Sequence, residues 1–302
     1  MCAEPLRFYT FTGNPLAETT MDFAAWSPGK THRARGTSFQ MGGKGINVSK
    51  MLRRLGAPTT ALCFLGGHSG EQCHTWLQSN GFHFRPFTTS SPTRSGLVVR
   101  TPHQSETTFL GPDAPPDADA WIQAAEALSE LGASPGPERA VLAFCGSSPG
   151  WGEPAASPFH AAIEAWLEAK NPLWVDTYGP PLAWFSRHPV DLIKINADEL
   201  RGLLGTEAPV DDLLQQALSQ FPVKAWIVSD GPGPVWYASK GESPRYQTPP
   251  VVHEISATGS GDVLLACLLH ARLSEGKSWD DAVRYALPQA SANAAHPGIA
   301  EF

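Results

Sequence analysis

Short apolar runs alternate with stretches of helical periodicity through most of the chain, and that alternation limits the fold more than any other feature. Segments 61–67 (ALCFLGG), 138–146 (ERAVLAFCG), 172–179 (PLWVDTYG), 190–196 (VDLIKIN) and 224–231 (KAWIVSDG) read as buried strands. Between them, 70–81, 157–171, 210–221, 260–275 and 278–292 carry apolar residues at helical spacing. Gly81 closes the first of these helices, and Ser157 is a candidate N-cap with Pro158 in the first turn behind it. A further helix opens near Asn196. Strands separated by helices predict a parallel sheet covered on both faces.

Two regions break the rhythm. Residues 7–40 and 93–110 are polar, turn-rich and β-prone, and they predict a small antiparallel flap beside the main sheet. The 28 prolines and 28 glycines are spread through loops, so no linker divides the 302 residues. Apolar residues make up 42% and charged residues 17%, enough for a sizeable core. The formal charge of −7, with no block of Lys and Arg, gives no nucleic-acid surface. No apolar stretch approaches the length of a membrane span. The N-terminal MCAEPLRFYTF lacks a basic segment followed by an apolar one, so no secretory leader is expected. The five scattered cysteines suit buried thiols in a reducing cytoplasm better than disulfides or a zinc site.

Three glycine- or carboxylate-bearing elements carry chemistry. In SATGSGD (256–262) two glycines flank a serine and lead to Asp262, directly before the apolar run VLLACLLHA. A helix starting near Ser260 would point unpaired N–H groups outward there, a site for phosphate. An amide cradle beside a carboxylate is equipment for phosphoryl transfer to an alcohol, with the acid taking the hydroxyl proton. The same heptapeptide also reads as a glycine loop whose acidic residue answers the helix dipole. GGKGIN (42–47) precedes the helical VSKMLRRLG, which Gly56 could end. It is not a P-loop, because Lys44 is followed by glycine. Its amides, with Lys44 and Asn47, would suit a polyhydroxylated or anionic ligand; otherwise it is a capping loop with an exposed lysine. In KINADEL (194–200), Asn196 and Glu199 share a helix face. They form either a capping box or a holder for metal-bound water near phosphates.

In this order and approximate spacing the three elements resemble the ribokinase/PfkB family of sugar kinases, along nearly the whole chain. GGKGIN, the TR at 93–94 and KINADEL are most similar to the phosphofructokinase branch, which includes 1-phosphofructokinases and tagatose-6-phosphate kinases. The resemblance implies one ribokinase-like domain over 1–302. Its fold would be a three-layer α/β/α arrangement with a mostly parallel central sheet and a small β-sheet lid from about 12–38 and 93–112. It implies Asp262 as the base and Gly259, Ser260 and Gly261 as the anion hole. Asn196 and Glu199 would organise Mg²⁺, Glu199 through a water, and the phosphates of ATP. Ser229 and Gly231 would lie on the nucleotide side, Lys194 near the nucleotide phosphates and Asn293 near the adenine. Gly42, Gly43, Lys44 and Asn47 match the sugar-binding loop, and Arg94 matches an arginine that grips the substrate's phosphate. Lys44 and Arg94 together favour an already phosphorylated hexose, fructose 1-phosphate first. Tagatose 6-phosphate, fructose 6-phosphate or a neutral sugar are the alternatives. The lid would close over the sugar, and in many members it also pairs two subunits, so a homodimer is expected.

The chain departs from the branch in several places. NPLAE (14–18) puts Glu18 where an aspartate usually meets the sugar hydroxyls, unless Asp22 takes that role. Ser260 replaces the usual alanine, and Ser256 replaces an aspartate of the monovalent-cation site. GSSPGWG (146–152) is altered from the branch's usual GSLPPG, and its G-x-S-x-G also fits a hydrolase nucleophile elbow at Ser148. An elbow needs a helix directly after the serine, whereas PGWGEPAASP follows. A sugar-phosphate binder that lost turnover is the remaining rival; retention of Asp262 argues against it. Trp166, Trp174, Trp184 and Trp226 read as core, and His68, His74 and His83 as ordinary surface histidines.

Overall fold

The computed structural model describes residues 5–133 and 139–302, apart from the side chain of Ser105. Cys2 and Glu138, the first residue of one expected strand, lie outside the described residues. The main sheet draws on β1 (Leu6–Thr12), while β2 (Leu16–Asp22) and β3 (Gly36–Gly42) leave it for a second, smaller sheet. Helix α1 (Lys44–Arg54) returns the chain to β4 (Thr59–Leu65), then α2 (Gly67–Ser79) to β5 (Phe84–Thr88). β6 (Arg94–Thr101) and β7 (Gln104–Leu110) complete the small sheet. The second half runs α3 (Ala118–Ala133), β8 (Arg139–Cys145), α4 (Ser157–Glu168), β9 (Leu173–Asp176), α5 (Pro180–Phe185), β10 (Leu192–Asn196), α6 (Ala197–Leu204), α7 (Val210–Gln220) and β11 (Ala225–Ser229). It ends with β12 (Val235–Ser239), β13 (Arg245–Gln247), α8 (Ser260–Leu269) and α9 (Trp279–Ala294).

The main sheet has the order β13-β12-β11-β10-β9-β8-β1-β4-β5. Strands β11 through β5 are parallel, and only the edge strands β12 and β13 turn antiparallel. Alternate residues of β8 serve the two faces: Leu142 and Phe144 pack with Phe11, Trp121 and Phe159, while Val141 and Cys145 pack with Phe8, Val48 and the apolar α8. This gives the three-layer α/β architecture with a mostly parallel sheet. From β1 the chain proceeds outward to β4 and β5 on one side, and later from β8 to β11 on the other. The order therefore reverses between β1 and β8, and a crevice opens at the carboxyl ends of strands at such a point.

Several expectations need correction. Residues 7–12 do not belong to the flap; they are the middle of the main sheet, flanked by β8 and β4. The small sheet, ordered β3-β2-β6-β7, is mixed rather than antiparallel, because β2 and β6 run parallel. Its strand β3 continues to Gly42, past residue 38. Ser157 is not an N-cap, since a short 3₁₀ turn over Pro154–Ala156 leads directly into α4. The helix expected over 260–275 is α-helical only to Leu269 and ends in a π-helical turn. Among the described residues no helix is long and apolar enough to cross a membrane.

Gly43 and Gly45 explain why α1 can start so tightly. Gly43 has φ +117, a conformation that favours glycine. A Cβ on Gly45 would stand 2.4 Å from Thr12 Oγ1 and 2.8 Å from the Phe11 carbonyl oxygen. Gly45→Ala is therefore expected to lose about 1–3 kcal/mol of stability, read as a lower urea midpoint with an unchanged slope.

Candidate active site

A cleft of about 420 Å³ opens where the strand order reverses. Its floor is Gly43, Lys44 and Asn47 at the start of α1, Gly146 after β8, and Gly259, Gly261 and Asp262 around the start of α8. Its roof is one face of the small sheet: Leu16 and Glu18, Gln40 and Gly42, Arg94, Val98 and Arg100, Glu106, Thr108 and Leu110. All ten are even-numbered, the period of two that one face of a sheet requires.

Helix α8 is preceded by Gly259 at φ +77, and a Cβ there would stand 2.6 Å from Ile299 Cγ2. The Ser260 amide donates to the Ala257 carbonyl at 3.2 Å. That leaves Gly261 and Asp262 as the first-turn amides ahead of the helical ladder, beside the positive end of the helix dipole. A Cβ on Gly261 would lie 3.0 Å from Lys194 Nζ, so an ammonium stands against this loop.

Below the loop is a chain of charges. Asp176, at the end of β9 and 1% exposed, accepts from Lys44 Nζ through Oδ1 and from Lys194 Nζ through Oδ2, each at 2.6 Å. Burial disfavours the Asp176 carboxylate, but Lys194 and Lys44 outweigh it and hold the acid below its usual range. Burial likewise opposes the charge on Lys44, and Asp176 followed by Asp262 overcomes it, keeping the ammonium protonated. Asp262 is 5% exposed and accepts from Asn47 Nδ2 at 2.7 Å. Burial pushes its carboxyl up to about 6, against the pull of Lys44 and with the help of Asp176.

The structure brings Gly42, Gly43, Lys44, Asn47, Arg94, Gly259, Gly261, Asp262 and Glu18 to one cavity. Glu18, not Asp22, faces it: Glu18 is buried and accepts from Gln40, while Asp22 is exposed at the end of β2. Arg94 donates to Asp113 Oδ1 at 2.9 Å, and its buried Nε has no partner. Asn196 caps α6 and accepts from the Glu199 amide, and Glu199 accepts in return from the Asn196 amide, so the capping box is present. Ser229 pairs in register with Asn196 at the adjacent strand end, and the exposed Gly231 (φ +54) follows it. These four line the neighbouring strand ends rather than the cleft.

Asn293, in α9, stands behind the α8 entry loop. It is 1% exposed, and its amide is spent inside the protein. Nδ2 donates to Thr258 O and Ser260 Oγ, and Oδ1 accepts from the Ala300 amide. It therefore braces the loop from within the protein. Ser148 is 5% exposed and is followed by turns, not a helix, so it makes no nucleophile elbow. Sequence reasoning missed Asp176, whose signal was its position at the end of a β-strand in a parallel sheet. It also missed Asn14, whose Nδ2 reaches Asp113 at 2.8 Å, and Arg100.

The sequence pattern of the pfkB family carbohydrate kinases matches residues 16–301. The 1-phosphofructokinase of Borreliella burgdorferi is 27% identical over 300 residues, spanning 97% of this chain and 94% of that protein. The ATP-dependent 6-phosphofructokinase isozyme 2 of Escherichia coli is 27% identical over 303 residues, spanning 97% and 94%. The solved structure of phosphofructokinase-2 from Escherichia coli in complex with potassium superposes with a TM-score of 0.87 at 25% identity, covering 97% of this chain and 94% of that one.

A raised carboxyl has a stability signature. Folded Asp262 binds its proton more tightly than the unfolded chain does, so the stability it confers is present at low pH and lost as pH rises from about 4 to about 6. Asp262→Asn removes that loss. Urea denaturation should find the variant more stable than the parent by up to about 3 kcal/mol at pH 8, and equal to it below pH 4.

Proposed function

We propose, from the premise that this chain belongs to the pfkB family of carbohydrate kinases and uses ATP, that its acceptor is a hexose monophosphate, fructose 1-phosphate first. The observation that carries this is the buried Asp262 carboxyl on the cleft floor, beside the amides of Gly261 and Asp262, with two cationic side chains, Lys44 and Arg94, on the same cavity. Asp262 takes the proton of the attacking hydroxyl, and a carboxyl near 6 is ionised yet basic enough for that at neutral pH. The first-turn amides of α8 and the adjacent Lys194 offset charge on the moving phosphoryl group. Lys44 stays charged on Asp176 and turns its remaining donors to the cleft. Arg94 holds the acceptor's own phosphate: its guanidinium fork suits phosphate oxygens, and its side chain lines the cavity. Glu18 and Asn47 meet the sugar hydroxyls.

Among the described residues no group of three or more acidic, His or Cys side chains forms a metal cage. Magnesium fits such a donor set, because it keeps most of its waters and binds through one or two carboxylates plus phosphates. Glu199, with Asn196, would hold it through water, and it would supply charge neutralisation of the ATP phosphates. In this reading the chain is one kinase domain whose small sheet is the lid. The exposure of Phe109 on that sheet supports pairing of two copies through the lid.

A coupled ADP-release assay over fructose 1-phosphate, fructose 6-phosphate, tagatose 6-phosphate and neutral sugars tests the acceptor. The highest kcat/KM is expected for fructose 1-phosphate; equal turnover of neutral sugars would contradict the assignment. Asp262→Asn should lower kcat by about 10³-fold or more, since an amide cannot take the proton, with ATP affinity kept. Arg94→Ala should raise KM for phosphorylated sugars by roughly 10- to 100-fold and leave neutral sugars little changed. Equal effects on both would refute the phosphate grip.

A further inference from the structure

The β6–β7 register slips at Arg100, between the pairs Val99–Thr107 and Thr101–Gln104. The regular pairing that ends at Val99–Thr107 already sets Glu106 opposite Arg100, whose Nε donates to Glu106 Oε2 at 2.7 Å. Held this way, the guanidinium sends NH2 across the mouth of the cleft to the Pro297 carbonyl, also at 2.7 Å. Arg100, Glu106 and Pro297 all line the cavity.

The residues after Pro297 are no passive tail. Ile299 packs on Gly259 so closely that a Cβ there would clash. Ala300 has φ +58, a left-handed conformation costly for a non-glycine residue, and it persists because neighbours fix it. Its amide donates to Asn293 Oδ1, and its carbonyl accepts from Arg54 at 3.2 Å. Asn293 in turn donates to Thr258 O and Ser260 Oγ. The 297–300 segment thus touches the small sheet at one end and both sides of the α8 entry loop at the other.

We propose that Arg100 is a positioning residue, a latch that ties the small sheet to the 297–300 segment and through it to the amides at the start of α8. Seating of the sheet over an acceptor and setting of the anion-binding loop are then one event, so phosphoryl transfer to water is suppressed while the cleft is open. The inference rests on the functional reading above.

Arg100→Met and Arg100→Lys in the full chain test it. The Met variant should lose about tenfold in kcat with KM values for ATP and sugar phosphate within about twofold. Its ADP release without acceptor should rise several-fold relative to transfer. The Lys variant, which keeps one donor for Pro297, should recover most of the loss. Ile299→Ala acts on the same tether, so the double variant should lose no more than the worse single one. Hydrogen exchange needs no turnover: amides 258–263 should exchange faster in the Met variant, with the melting temperature little changed. A raised KM for sugar phosphate at full kcat, multiplying losses in the double variant, or unchanged exchange at 258–263 would each overturn the latch. A parent protein that transfers to no sugar phosphate would instead sink the functional reading, and the exchange measurement would still decide the latch.

Discussion

One buried carboxylate organises the site. Asp176 is shared between Lys44 and Lys194, which arrive from the start of α1 and from β10. Removing the Asp176 carboxylate, 1% exposed, and the Lys194 ammonium from water is unfavourable unless they stay paired and hydrogen-bonded, and Lys44 completes the pairing from the cleft side. The pairing fixes both lysines, one under the cleft and one against Gly261. It also sets the field in which Asp262 titrates, since the lysines pull its carboxyl down while Asp176 and burial push it up.

The sheet supplies the geometry for this arrangement. The strand order reverses between β1 and β8, and Gly146 and Asp176 follow from neighbouring strand ends on that side. The glycines of GGKGIN let α1 start against Thr12 and Phe11, which delivers Lys44 and Asn47 to the same point. At the other entry, Gly259 lies under Ile299, and Asn293 grips the loop from α9. Close packing of backbone on backbone, rather than loop length, determines where the amides and the carboxyl meet.

Much of this was legible in the residues. Strands and helices of the second half announced themselves by period and length, because a strand buried on both faces reads as a continuous apolar run. The glycine clusters and the Asn196–Glu199 spacing were visible as motifs. Three things were not. β1 falls within the β-prone 7–40 region that reads as flap, although its Phe8 and Phe11 serve opposite cores of the main sheet. Asp176 sat unmarked in a strand because its meaning lies in two lysines, 132 and 18 residues away. The bracing role of Asn293 has no local signature, because its partners Thr258, Ser260 and Ala300 meet it only in the packed fold. Pairing across the sheet is decided by topology, and no window of sequence contains it.

The pH dependence of kcat/KM in the parent and in Asp176→Asn tests the central claim most directly. The acceptor's phosphate also titrates near pH 6, and it does so equally in both proteins, so the difference between them isolates Asp262. Loss of the neighbouring negative charge should lower the Asp262 carboxyl and move the acid limb to lower pH. A limb that stays in place, or moves to higher pH, would contradict the account.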